Sequence, residues 1–293
     1  MTELLALLQH SQPALIAVVT ILGALVGSFL NVVIFRLPKR MHYEWQQQCL
    51  DIMGTESSPV QDPPPGLIRP ASHCPSCGHN ILPWHNIPIL SYLLLRGHCA
   101  YCQHRISLRY PLIELLAALT AAISAIILGW GAQLSVALIL GWALIILAFI
   151  DFDQQLLPDQ ITLPLLWLGL FCNVQWQVFS TPTQALYGAM VGYLSLWLIY
   201  QLFKLLTGKE GMGYGDFKLL AMLGAWLGWQ RLPTVILLAA VVGTVISLAL
   251  MAAKQQGRDT PIPFGPFLAT AGWFTLLFGD TIARSYLQLL RPY

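Results

Sequence analysis

Apolar stretches long enough to cross a lipid bilayer recur along this chain, and they limit its fold more than any other feature. A helix needs about 20 mostly apolar residues to cross about 30 Å of hydrocarbon. Eight stretches reach or approach that length, at 14–35, 111–129, 134–151, 161–179, 184–206, 217–230, 233–252 and 264–280. Only 10% of the residues are charged, against about 25% in soluble proteins. The sequence therefore predicts an all-α polytopic membrane protein with about eight transmembrane helices.

The positions of Lys and Arg predict the orientation of these helices. Cytoplasmic loops of membrane proteins carry an excess of both residues. If the N-terminus is outside, 12 of the 15 Lys and Arg lie inside, and only Arg231, Arg284 and Arg291 lie outside. We therefore expect the segment 36–110 to be cytoplasmic. The first stretch is expected to be a retained helix rather than a cleaved signal, because residues 1–13 contain no Lys or Arg.

Two Cys-x-x-Cys pairs in the 36–110 segment indicate a metal site. Cys74 and Cys77 form the first pair, Cys99 and Cys102 the second, and 21 residues separate the two pairs. Thiolates suit tetrahedral Zn²⁺, and four of them leave no open position for water, so a structural zinc is expected. Disulfides and a dithiol redox pair are the alternatives. A cytoplasmic location argues against stable disulfides.

Carboxylates at the ends of membrane stretches are candidates for function, because ionisable groups at membrane depth are costly. Asp151 ends the third stretch, and Asp216 follows the glycine-rich run 211–215. In the predicted orientation both lie at the same face and depth. Two close carboxylates share one proton and so supply an acid and a base for peptide hydrolysis. The residues alone leave open a second interpretation, in which these aspartates cap helices or pair with Lys209 and Lys218.

Local structure gives further expectations around the two aspartates. The alternating glycines of the 211–215 run let the backbone approach closely, which would leave Asp216 exposed in a cavity. For Asp153 and Asp159 we expect helix caps or ion pairs, and Asp159 suits an N-cap. The proline-rich segment Pro261–Pro266 near the same face either helps to hold a substrate or simply starts a helix.

Several motifs together make the chain resemble the bacterial type IV prepilin peptidases, a branch of the GxGD intramembrane aspartyl proteases. In chain order, the segments that carry the resemblance are Gly27–Ile34 with Arg36–Pro38, the two cysteine pairs, Asn86–Pro88 with Ser91 and Tyr92, Arg109–Pro111 with Glu114, Asp151–Asp159, Gly208–Lys218 and Pro263–Pro266. The match covers nearly the whole chain, and the two aspartate motifs together are highly specific.

The resemblance implies a function for both aspartates. The first catalytic aspartate lies seven residues before the proline of a Pro-Asp or Pro-Asn pair, which selects Asp151 rather than Asp153, and the second is Asp216. It further implies an enzyme of the bacterial inner membrane, with a periplasmic N-terminus. Such an enzyme cleaves the leader of type IV prepilins or type II secretion pseudopilins after a glycine at the cytoplasmic face. It then methylates the new N-terminal amine with S-adenosylmethionine as donor.

The resemblance also implies a division of the chain and a second group of candidate residues. Residues 1–35 are expected to form the first membrane helix, 36–110 a cytoplasmic zinc-binding domain associated with methyl transfer, and 111–293 the peptidase domain. The candidates for methyl transfer or substrate binding are Asn31, Arg36, Gly97, His98 and Glu114. His98 departs from the family pattern, because relatives often have Lys before the third cysteine.

Two other classes of function compete with an enzyme. A transporter or channel could use its membrane carboxylates to relay protons, but transporters tend to contain internal repeats, and none relates the two halves of this chain. A membrane scaffold could bind proteins through the zinc segment. A nucleic-acid partner is not expected, because the net charge is only +2 and no basic run is present.

Overall fold

The computed structural model describes residues 2–53, 63–209, 211–252 and 263–289, and these are helical with no β-strand among them. The helices are α1 (Thr2–His10), α2 (Gln12–Met53), α3 (Leu90–Leu94), α4 (Arg109–Leu128), α5 (Ala132–Gln154), α6 (Asp159–Trp176), α7 (Pro182–Thr207), α8 (Tyr214–Leu227), α9 (Leu232–Ala252) and α10 (Gly265–Leu289). The all-α prediction is confirmed. Pro261 and Arg291, named in the sequence analysis, lie outside the described residues, as do Glu210, Lys254 and Arg258.

Each of the eight predicted stretches overlaps one of the helices α2 and α4 to α10. Within the described ranges, five helical segments are long and apolar enough to cross a membrane: Gln12–Met53, Arg109–Leu128, Ala132–Gln154, Pro182–Thr207 and Trp229–Ala249. In α10 the apolar part, Gly265–Gly279, is shorter. Helix α8 has only 14 residues. Most of them are buried against the rest of the protein, which accounts for their apolar character.

Helix α2 is longer than the sequence predicts. It has 42 residues, passes through Pro38 and ends at Met53, well beyond the predicted membrane stretch. At 1.5 Å per residue it is about 63 Å long, roughly twice the thickness of the hydrocarbon. The first part of the predicted cytoplasmic segment is therefore a continuation of the first membrane helix.

Residues 1–129 form one of two compact units, and glycines bring its two long helices together. A Cβ added to Gly23 would lie 2.8 Å from the carbonyl oxygen of Ala117, and one added to Gly27 would lie 2.6 Å from Cα of Glu114. Small residues four apart allow this close approach of helix backbones in membranes. The contact fixes Glu114 of α4 beside Gly27 of α2.

Residues 130–293 form the second unit, with α8 at its centre. Every residue from 219 to 227 is buried. Glycines again allow the contact, because a Cβ on Gly188 of α7 or on Gly224 of α8 would overlap the other's carbonyl group. On another side the indole N–H of Trp226 donates to the Leu165 carbonyl of α6 over 2.9 Å. This packing fixes α8, and with it Asp216 in its first turn.

Candidate active site and metal centre

The two predicted aspartates lie at facing ends of their helices in the second unit. Asp151 is in the last turn of α5 and Asp216 is in the first turn of α8. Both are buried, at 6% and 8% exposure, and the charge of Asp151 acts on Asp216. Asp216 is therefore less open to solvent than the sequence predicts. The two carboxylates that the sequence singles out thus lie in the same buried region of the second unit.

A backbone group that the sequence analysis did not single out orients Asp151. The N–H of Gly265, the first residue of α10, donates to Oδ2 of Asp151 over 3.0 Å. A Cβ on Gly265 would lie 2.5 Å from that same oxygen, so only glycine fits here without moving the carboxylate. The Pro263–Pro266 segment therefore starts a helix, which is one of the two expectations for it, and it brings a hydrogen-bond donor to the site.

Leu157 lies between the start of α8, which carries Asp216, and the start of α10, whose Gly265 N–H holds Asp151. A Cβ on Gly215, the residue before Asp216, would lie 2.8 Å from Cβ of Leu157. On the other side, a Cβ on Gly265 would lie 3.2 Å from Cδ2 of Leu157. The two glycines therefore pack against one buried leucine, and its volume sets how closely α8 and α10 approach each other here. Close approach is the role of Gly215, since its φ is not in the left-handed region.

Asp159 is engaged in an ion pair. Its carboxylate accepts hydrogen bonds from Nζ of Lys218 over 2.6 and 2.8 Å, so the expected pairing with a lysine is confirmed. The expectation that Asp159 is an N-cap is wrong, because α6 is capped by Pro158 and no side chain makes a capping hydrogen bond. The pair ties the start of α6 to Lys218 of α8, two residues after Asp216.

The four predicted cysteines come together in the first unit. Their sulfur atoms lie within 4.8 Å of one another, and those of Cys74 and Cys102 are 3.8 Å apart. Four sulfurs placed 2.3 Å from a central zinc at the corners of a tetrahedron are about 3.8 Å apart. The cluster therefore fits a tetrahedral Zn²⁺ with all four positions taken by thiolates.

The two halves of this cluster are copies of one turn. We call residues 73–80 the first knuckle and 98–105 the second; each has the pattern His-Cys-x-x-Cys-x-His. In the first, the N–H of Cys74 donates to the His79 carbonyl, and in the second, that of Cys99 donates to the His104 carbonyl. Gly78 has φ +69°, as a tight knuckle turn requires, and Gln103 takes the same conformation with φ +58°.

Without a metal, the thiols differ in acidity. The N–H groups of Cys102 and Tyr101 lower the pKa of the Cys99 thiol from 9.0 to about 7. The His104 N–H acts to lower the pKa of Cys102 as well, but desolvation and hydrogen bonds to the other three thiols raise it to about 11. Zinc needs all four as thiolates, so binding the metal at neutral pH must displace protons.

Two of the residues expected in methyl transfer meet near Gly27 in the first unit. Nδ2 of Asn31 donates to the carbonyls of Gly27 and Tyr110, each over 3.2 Å. Glu114, whose backbone packs on Gly27, accepts the Ile89 N–H at Oε2 over 2.7 Å and a hydrogen bond from Ser28. Both polar side chains are thus partnered, and they hold the start of α4 and the loop before α3.

The other three candidates for methyl transfer or substrate binding are Arg36, Gly97 and His98, and they lie in other parts of the first unit. Nη1 of Arg36 donates to the carbonyls of Gly66 and Pro70, over 2.7 and 2.9 Å. His98 is the first residue of the second knuckle, and Gly97 directly precedes it. Gly97 has φ +72°, and a Cβ on it would lie 2.7 Å from the hydroxyl of Tyr92. The ring Nδ1 of His98 hydrogen-bonds the Arg96 carbonyl over 2.8 Å.

Two family models match the chain. The bacterial peptidase A24 N-terminal domain matches residues 21–128, and the type IV leader peptidase family matches residues 138–248. The chain belongs to the type IV leader peptidase family. No solved structure matches it.

Relatives named prepilin leader peptidase/N-methyltransferase are similar over almost their whole length. The relative from Pseudomonas aeruginosa is 52% identical, and the match covers 95% of this chain and 96% of the relative. The relative from Aeromonas hydrophila is also 52% identical, and the match covers 97% of this chain and 98% of the relative. For the relative from Dichelobacter nodosus the identity is 47%, and the match covers 92% of this chain and 93% of the relative. Membership of this family gives no support to the transporter alternative.

Proposed function

We propose that this protein is a membrane aspartyl endopeptidase that removes the leader peptide of type IV prepilins or pseudopilins and then methylates the new N-terminus. The observation that carries the proposal is the pair of buried aspartates at facing helix ends, with Asp151 held by the Gly265 N–H. The relatives, whose name states both activities, support it.

In the proposed peptidase step, Asp151 and Asp216 share one proton and hold a water between them. The carboxylate partner takes a proton from the water as the water attacks the scissile carbonyl, and the protonated partner donates to the carbonyl oxygen. The aspartate that took the water's proton then gives it to the amide nitrogen as the C–N bond breaks. The other aspartate takes back a proton from the tetrahedral intermediate, which leaves the new carboxyl group and restores the shared-proton pair. The Gly265 N–H keeps one oxygen of Asp151 occupied, so that the other is directed away from α10 and available for the water.

The substrate class follows from where the dyad is placed. A prepilin carries an apolar helix that lies in the bilayer and a basic leader that lies in the cytosol. A dyad at the end of membrane helices reaches the junction between the two, and a glycine there allows an extended backbone to enter the site. We place this end of the helices on the cytoplasmic side of a bacterial inner membrane, with the N-terminus periplasmic, as the distribution of Lys and Arg indicates.

Replacement of either aspartate tests the peptidase. Asp151→Asn and Asp216→Asn protein, purified in detergent and offered a prepilin, should each lose leader cleavage while keeping the helix content and yield of wild type, because an amide can be neither partner of the shared-proton pair. Asp153→Asn is the matched control and should cleave. Cleavage at near wild-type rate by either dyad variant would remove that residue from the mechanism.

We assign methyl transfer to the cytoplasmic part of the first unit, within residues 36–110 and its neighbours Asn31 and Glu114. The methyl donor implied by the relatives' name, S-adenosylmethionine, is soluble and charged, so it must arrive from the cytosol. The acceptor amine has to lose its proton, and Glu114 is a buried carboxylate that can take it. The zinc supplies no chemistry in this assignment; the cysteines would hold it as a structural ion that fixes the two knuckles.

The two activities can be separated with one substrate. A pilin whose leader has already been removed should still be methylated by Asp216→Asn protein, because the dyad takes no part in that step. Glu114→Gln protein should cleave the leader and lose methylation. If Asp216→Asn protein of normal fold leaves the pre-cleaved pilin unmethylated, the two sites overlap and the assignment of methyl transfer to the first unit is wrong, whereas the peptidase assignment is unaffected.

A further inference from the structure

The segment between the two knuckles exposes an unusual number of large apolar side chains. Trp84, Ile87, Leu90, Leu93 and Leu94 are each between 44% and 74% exposed. They fall within the eleven residues 84–94, which include most of a short 3-10 turn, Pro83–Asn86, and the five-residue helix α3. Exposed apolar side chains grouped in this way mark a contact with another apolar phase or partner.

The depth of this segment along the membrane helices is fixed by a hydrogen bond. The Ile89 N–H donates to Glu114 over 2.7 Å, and Glu114 is the sixth residue of α4. Its backbone packs on Gly27, nine residues before Arg36, the first charged residue after the apolar run of α2. Nine residues of helix measure about 13 Å. On α4, the charged residue Arg109 is five residues before Glu114, which corresponds to about 7 Å. The loop at Ile89 therefore lies roughly 7–13 Å inside the charged ends of α4 and α2, beside apolar parts of both helices.

The backbone of this loop is folded back and bonded in a way that suits a water-poor environment. Ile89 has φ +61°, a conformation that a β-branched residue rarely takes, and the chain reverses there. The Ser91 hydroxyl accepts the Ile87 N–H over 3.1 Å and donates to the Trp84 carbonyl over 2.8 Å. Backbone polar groups at membrane depth need such internal partners.

We propose that residues 84–94 are a membrane anchor that inserts into the lipid leaflet on the knuckle side, at the boundary between headgroups and acyl chains. A bilayer, rather than a protein, is the occupant because the anchor lies level with the lipid-facing surface of α2 and α4. Its composition also suits that boundary: a tryptophan with an apolar body and a polar N–H, aliphatic side chains beside it, and exposed Arg96 at its end to meet lipid phosphates. The anchor holds the zinc knuckles against the membrane surface.

Depth-dependent fluorescence quenching tests the anchor in the full-length protein. The protein is placed in nanodiscs whose phospholipids carry bromine either near the headgroup end of the acyl chain or near its terminal methyl. The emission of Trp84 is obtained by subtracting the spectrum of Trp84→Phe protein from that of wild type. Because Trp prefers the membrane–water interface, bromine near the headgroup should weaken this emission about two-fold. Bromine near the terminal methyl should weaken it less.

Trp45 provides the matched control. It is exposed on α2, nine residues beyond Arg36 on the side away from the apolar run, so it should be in water. Its emission, obtained from Trp45→Phe protein in the same way, should be quenched by acrylamide and not by bromine. If Trp84 behaves like Trp45, the exposed face is a water-facing surface or a protein-binding one, and the anchor is wrong.

Protection of Trp84 from both quenchers would also overturn the proposal, because it would mean that protein covers the segment.

A second variant tests the contribution of α3. Leu93→Gln with Leu94→Gln should reduce the bromine quenching of Trp84 and increase its quenching by acrylamide, with zinc content unchanged. Unaltered bromine quenching in this variant would exclude α3 from the anchor. Should the variant not fold, the wild-type measurement decides the proposal alone.

Discussion

The N–H of Gly265 and the Oδ2 atom of Asp151 are 3.0 Å apart, although 114 residues of chain separate them. The bond places Asp151 at the N-terminus of α10, where the helix dipole is positive. Asp216 lies in the first turn of its own helix, α8, so each aspartate is next to a helix N-terminus. The position of Asp151 therefore depends on a residue that has no side chain and whose substitution would act directly on the dyad.

Gly265→Ala should impair leader cleavage severely. The new Cβ would lie 2.5 Å from Oδ2 of Asp151, so the carboxylate has to move. A displacement of about 1 Å at a catalytic group can cost about 10²-fold in rate, and we expect a loss of that order in kcat. Gly131→Ala is the control, since nothing lies within 4 Å of the added Cβ, and it should cleave like wild type. Equal rates for the two variants would show that Gly265 does not position Asp151.

Gly215→Ala should also impair cleavage, and here a second change should restore part of it. The added Cβ would lie 2.8 Å from Cβ of Leu157. Leu157→Gly removes that atom, so the double variant should cleave faster than Gly215→Ala alone. Adding Leu157→Gly to Gly265→Ala should give no such gain, because that Cβ collides mainly with Asp151. A double-mutant cycle on kcat measures both couplings. Equal rescue of the two glycine variants would contradict the arrangement around Leu157.

Breaking the pair of Asp159 and Lys218 should have a small effect. Both side chains are partly exposed, at 50% and 31%, and ion pairs of this kind contribute about 0.2–1 kcal/mol. Asp159→Asn should therefore lower thermal stability slightly and keep cleavage within a few-fold of wild type. Asp151→Asn, eight residues away in the same motif, should lose cleavage altogether. Complete loss of cleavage in Asp159→Asn protein, with normal stability, would give Asp159 a role beyond the ion pair.

Zinc binding should weaken steeply as the pH falls. The metal needs four thiolates, and the backbone N–H groups of Cys102 and Tyr101 lower the pKa of the Cys99 thiol to about 7. Because this pKa is lower in the folded protein, it stabilises the folded knuckles at pH values above the ordinary thiol pKa. This contribution to stability is lost as the pH falls through about 7. Elemental analysis after dialysis against a chelator at several pH values should show zinc lost first in acid. Cys49→Ser is the control and should retain the metal like wild type; retention by Cys74→Ser would contradict the four-cysteine site.

The sequence predicted the parts of this molecule that depend on local pattern or on paired motifs. Apolar length placed the membrane helices, and paired cysteines placed the metal cluster. Gly265 and Leu157 were missed because their roles arise from packing between α5, α8 and α10, and a glycine N–H or a leucine carries no local signal for such a contact. The extension of α2 to Met53 was missed because charged and polar residues after Arg36 indicated a soluble segment, although Gln, Glu, Lys and Leu are good helix formers.

The repeated knuckles have a consequence for the chain as a polymer. With a metal between them, the residues from Cys77 to Cys99 form a closed ring, as they would with a disulfide. Closing a loop of about 25 residues lowers the entropy of the unfolded chain by an amount that corresponds to roughly 3–4 kcal/mol at 25 °C. On the cytoplasmic side proposed for the knuckles, a disulfide would be reduced, whereas a metal cross-link would persist and a chelator could open it. The ring therefore gives a short, loop-rich segment the covalent-like restraint that secreted proteins obtain by oxidation.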